Sequence, residues 1–65
     1  MFSKTEFKVA CLRKDKTNAD VAKYLGIDTA TLWRKTTGQT EFTRAEIQKI
    51  CEFLDIEDPM PIFFA

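Results

Sequence analysis

Three times along this chain a hydroxyl residue is followed three positions later by a carboxylate: Ser3 with Glu6, Thr17 with Asp20 and Thr43 with Glu46. That spacing is the capping box, in which the hydroxyl accepts from the amide one turn on and the carboxylate accepts from the amide of the capping residue. Each box fixes a helix start, and three starts in 65 residues leave room only for short helices joined by tight turns. The two glycines, Gly26 and Gly38, supply stops, because glycine closes a helix in the left-handed conformation at no steric cost. No alternating run is long enough for a strand. The expected fold is a compact all-α domain of four to five helices.

Apolar spacing fills in the helices. In the first, Phe2 and Phe7 stand at the two positions of a hydrophobic staple, and Phe7, Ala10 and Cys11 follow at core spacing. Val9 and Leu12 widen that band, so periodicity alone does not decide which face is buried. The second helix offers Val21, Ala22 and Leu25 and stops at Gly26, after which Ile27 turns inward. Asp28 is the next N-cap, opening a helix of about nine residues from Thr29 to Thr37 that ends at Gly38. Its threonines are mediocre helix formers, so it depends on tertiary support. The fourth helix has Phe42 and Ile47 as its staple, and Ile47, Ile50, Cys51 and Leu54 form one clean apolar stripe. Asp58 ahead of Pro59 can cap one further turn, but Pro61 removes another donor, so residues 57–65 are expected to be an irregular apolar tail. The whole of 1–65 reads as one domain, of a size that buries only about 60% of its unfolded surface and gains from dimerisation.

Charge narrows the function. Lys/Arg and Asp/Glu balance at ten each, yet residues 1–40 hold eight basic side chains against four acidic, and residues 41–65 hold two against six. A molecule polarised in this way can turn its basic half to a phosphate backbone despite a neutral total. Cys11 and Cys51 sit among apolar residues without metal-ligand spacing, and the chain has no histidine, so both read as buried thiols with no metal and no cofactor. No nucleophile–base pair presents itself, so no catalytic residue is expected and the chain does not read as an enzyme. No apolar run approaches a membrane span and no signal peptide is evident, which gives the expectation of a cytoplasmic protein in a bacterial host cell.

Two short helices joined by a tight glycine turn form a helix-turn-helix over about residues 17–37, with small Ala22 where the backbones come nearest. Through Thr17-Asn18-Ala19-Asp20-Val21-Ala22-Lys23-Tyr24-Leu25-Gly26-Ile27 and Leu32, the chain resembles the lambda-repressor-like family of Cro/C1 or XRE-type regulators, over roughly residues 7 to 56. Leu32-Trp33-Arg34-Lys35-Thr36-Thr37-Gly38, Phe42 and Glu46-Ile47 are similar to small phage-encoded regulators of Gram-positive bacteria within it. The resemblance implies a transcription regulator that lays its third helix in the major groove of duplex DNA. Base edges would be met by Thr29, Ala30, Trp33 and Arg34, and phosphates by Thr17, Asn18, Lys35, Thr37, Gln39 and Arg44. Side-chain chemistry agrees in part: arginine makes a bidentate contact to guanine, and Ala30 and the Thr29 methyl suit a thymine methyl. Trp33 is also, by residue type, a core or interface candidate.

Four positions depart from the family pattern. Lys35-Thr36 stands where an apolar anchor usually ends the recognition helix, leaving Trp33 or Phe42 to complete that contact. Lys16 replaces an apolar residue before the second helix, and Thr37 replaces an asparagine. A rival reading keeps the fold as a protein-interaction module, antirepressor-like or antitoxin-like. The tail residues Ile62, Phe63 and Phe64 need cover, either from the fourth helix or from a second subunit. A homodimer joined there, with one phenylalanine inside and one at the interface, would match a palindromic operator.

Overall fold

The structure, a computed structural model, describes residues 1–64. They form five helices: α1 (Lys4–Arg13), α2 (Asn18–Leu25), α3 (Thr29–Thr36), α4 (Arg44–Leu54) and α5 (Met60–Phe63). No strand occurs among the described residues, and no helix is long and apolar enough to cross a membrane.

Local chemistry sets most of the boundaries. Thr17 and Thr43 close full capping boxes: the Thr17 amide donates to Asp20 at 2.9 Å and the Thr43 amide to Glu46 at 2.8 Å, while each hydroxyl accepts the amide one turn on. Asp28 caps α3 by accepting from the Thr31 amide at 2.8 Å. Gly26 ends α2 at φ 77° and Gly38 follows α3 at φ 89°. Asp15 and Asp55, both at φ 54°, occupy left-handed positions after α1 and α4, a conformation that short polar side chains tolerate better than most.

The α1 start departs from the expected box. Ser3 does accept from the Glu6 amide at 3.3 Å, but its own amide donates to the Ile62 carbonyl at 2.6 Å rather than to the Glu6 carboxylate. A carbonyl from the other end of the chain has taken the carboxylate's place. The tail that provides it is also more regular than expected. Met60–Phe63 makes one helical turn, with the Asp58 carboxylate accepting from the Met60 amide at 3.0 Å. Pro59 and Pro61 do not prevent it, because amides in a first turn have no intrahelical partner to lose.

Val21, Leu32 and Ile50 form the fully buried centre, where α2 packs against both α3 and α4. Phe7, Ala10 and Cys11 are the buried face of α1, which settles what periodicity left open, and Val9 and Leu12 lie outside it. Around one end of the core runs an aromatic collar. Phe2 lies 5.5 Å from Phe7, 5.0 Å from Phe42 and 5.6 Å from Phe63 between ring centroids, and Phe42 meets Phe63 edge-on at 5.4 Å. Edge-on and tilted rings at such separations add about 0.5–1.5 kcal/mol per pair beyond their area.

The tail residues named for a subunit interface divide between the collar and the surface. Ile62 and Phe63 are buried in the chain's own core, so of the three tail residues only Phe64 keeps an exposed surface. Both cysteines are free thiols, Cys11 buried and Cys51 half-buried, and burial raises the pKa of each.

Candidate nucleic-acid interface

Helix α3 has two faces, and its phase is set by what it buries. Leu32 and Thr36, one turn apart, point into the core. Thr36 is polar, yet its hydroxyl donates to the Trp33 carbonyl at 2.8 Å, which satisfies the group without solvent. The end of α3 is therefore held by Thr36 itself with half-buried Phe42 packed against the core, and Trp33 takes no part in that anchor.

With Leu32 and Thr36 inside, helical spacing puts Ala30 and Arg34 on the opposite face and Trp33 at its margin, while Thr29 shares the phase of the buried pair and is open because it begins the helix; all four are exposed. Trp33 leaves 56% of its surface open, which is unusual for the largest side chain in a small domain. The Arg34 guanidinium donates to the Thr31 hydroxyl at 3.3 Å and so is held along the helix rather than free in solution. Hydrogen bonds from the Thr31 hydroxyl and amide keep the Asp28 carboxyl below its ordinary pKa, so α3 begins on a charged cap.

The expected phosphate ligands separate into two groups. Asn18, first residue of α2, Gln39, in the loop after α3, and Arg44, first residue of α4, are exposed. The Thr17 and Thr37 hydroxyls are already engaged: Thr17 donates to Asp20 at 3.1 Å and Thr37 to the Arg34 carbonyl at 3.0 Å. Bonds from the Thr17 amide and hydroxyl lower the Asp20 pKa.

Lys35 stands apart from both groups. Its side chain is only 11% exposed and its ammonium sits 3.1 Å from the Glu46 carboxylate, 3.2 Å from the Glu41 carbonyl and 6.0 Å from the centre of the Phe42 ring. It joins α3 to the start of α4. An ammonium occupies the apolar anchor position because its aliphatic stem covers apolar surface while a carboxylate and a carbonyl receive its charge. Burial raises the Glu46 pKa, but hydrogen bonds from the Thr43 amide and from Lys35, together with the Lys35 charge, outweigh it and leave the carboxyl below its ordinary value. Lys16, the other departure before α2, stands 5.2 Å over the Phe53 ring, which in turn stacks on Tyr24 at 4.4 Å.

Sequence reasoning also passed over Lys4 and Lys8. They contribute to the basic excess of residues 1–40, but no motif marks them, and only the fold brings their flank of α1 alongside α2.

A short helix ending on a left-handed glycine, followed by a second whose outer face is open along its length, defines a helix-turn-helix DNA-binding domain. Residues 6–59 match the Cro/C1-type HTH DNA-binding domain, and the chain belongs to that family. No curated protein and no solved structure matches the chain.

Proposed function

We propose that this domain is a sequence-specific transcription regulator of the phage or prophage repressor type, which reads operator DNA by laying α3 in the major groove. The observation that carries this reading is the division of α3: Leu32, Thr36 and Lys35 are committed to the fold, while Thr29, Ala30, Trp33 and Arg34 are left together on the outside. A helix that needed only to stabilise the domain would have no reason to expose a tryptophan beside an arginine. Arg34 reads guanine, and Ala30 and Thr29 present methyl groups to thymine. Asn18, Gln39 and Arg44 bind phosphates on either side, with the Thr17 and Thr37 backbones fixing the helix ends between them. Two copies joined through Phe64 would present two such helices to a palindromic operator.

Selection of bound fragments from a random duplex pool tests the reading, followed by the same selection with Arg34→Ala. A preferred palindromic site is expected, with preference relaxed at one position in each half-site by the substitution. A uniform loss of affinity on every sequence would remove Arg34 from base readout, and recovery of no duplex would remove the function.

A further inference from the structure

A groove runs along the outer flank of α1 to the N-terminus of α2, and its lining includes Lys4, Lys8 and Lys16 with Thr17, Asn18 and the edge of Thr36. No carboxylate lines it. The carboxylates of this region lie across α1, where Glu6, Asp55, Glu57 and Asp58 line a second groove and outnumber the Arg13 and Lys14 that share it. Helix α1 therefore divides the surface by charge. Its basic flank is the one continuous with the helix-turn-helix.

The three lysines are not equivalent. Lys16 is drawn to the Phe53 ring. Lys4 and Lys8 are exposed and make no ion pair among the described residues. One helical turn separates them by about 6 Å, close to the separation of neighbouring phosphates along one strand. At the end of the same groove, Asn18 opens α2, where helix amides and their dipole favour an anion. The Asp20 carboxylate nearby is occupied by the amide and hydroxyl of Thr17.

We infer that Lys4 and Lys8 bind the phosphate backbone of the same duplex that α3 reads, extending the contact at Asn18 along the strand by one helix. The inference rests on the proposed function and adds to it a second helix in contact with DNA. It also accounts for how a chain of zero net charge holds a polyanion: the charges that matter lie on one flank, and their counterweights lie across the helix from them.

Salt titration of binding tests this, with the full chain and a duplex of random sequence, since phosphate contacts are indifferent to base identity. Each lost contact lowers the slope of log affinity against log salt by about 0.9, so the double variant Lys4→Gln, Lys8→Gln should lower it by about 1.8. Lys4→Arg with Lys8→Arg should keep the parent slope. Lys14→Gln, which removes the same charge beside Asp55 on the other flank, should leave the slope alone. Melting temperatures of all variants establish that they fold. A parent that binds no duplex overturns the proposed function and this inference with it. A parent that binds, with a slope unchanged in the double glutamine variant or reduced as much by Lys14→Gln, overturns the inference alone.

Discussion

The helix-turn-helix and the aromatic collar are built from different kinds of contact. From Thr17 to Gly38 the chain is held by bonds between near neighbours: Thr17 with Asp20, Asp28 with Thr31, the Ile27 amide donating to the Ala22 carbonyl at 3.0 Å and the Gln39 amide to the Arg34 carbonyl at 3.0 Å. The collar joins the first residues to the last, through Phe2, Phe42, Phe63 and the single bond from the Ser3 amide to the Ile62 carbonyl. One region has its shape specified locally and borrows stability from the core. The other supplies stability and has almost no local specification. The helix proposed to read bases lies in the first, so stability and base recognition can be changed separately.

The most severe way to break this division is in the collar. Phe63→Ala removes a buried ring that touches two others, and truncations of this kind cost about 3–5 kcal/mol, a large share of what a 65-residue domain possesses. The variant should be largely unfolded at temperatures where the parent is folded, as read by helical circular dichroism on heating. A melt like the parent's would mean that the collar is ornamental.

Gly26→Val probes the locally specified region. No atom lies within 4 Å of the place where a Cβ would stand, so the cost is backbone strain alone at φ 77°. An ordinary side chain there costs about 1–2 kcal/mol and a β-branched one at least that, a smaller loss than in the collar. Gly26→Asn, tolerant of left-handed backbone, should recover part of it. Equal melting of the valine and asparagine variants would count against strain as the cause.

The smallest expected effect is at the joint between α3 and α4. Lys35→Met keeps the aliphatic stem and removes the ammonium, for a cost of about 1 kcal/mol in the hydrogen-bonded charge pair. Glu46 titrates below its ordinary 4.5, so its contribution is present above that pH and is lost as the pH falls through the lowered value. Without Lys35 the lowering is reduced, and stability should fall less on acidification from 4.5 downward. The salt slope for DNA should stay as in the parent; a fall of about 1 would return Lys35 to the phosphate ligands.

Local signals explain what could be read in advance. The boxes at Thr17 and Thr43, the cap at Asp28 and the stops at Gly26 and Gly38 each depend on residues within one turn, and all stand where spacing put them. The Ser3 box failed in its second half because a carbonyl distant in sequence competed for the amide. The same limit applies to Lys35: its charge suggested solvent, and only the return of the chain brings Glu46 and the Glu41 carbonyl to it. The buried position of Thr36 was hidden because hydropathy does not register a hydroxyl satisfied within its own helix. Trp33 was ambiguous for a related reason, since its exposure follows from a helical phase fixed by two neighbours rather than from its own character.

The exposure of Trp33 has a practical side. It is the protein's single tryptophan, and it stands on the outer face of α3, away from the core and from the collar. The near-ultraviolet emission of the chain therefore comes chiefly from an indole more than half open to water. A duplex laid against α3 would take that indole out of water and stack it near bases, changing both colour and intensity. The domain carries its own fluorescent reporter of occupancy, placed where recognition would occur.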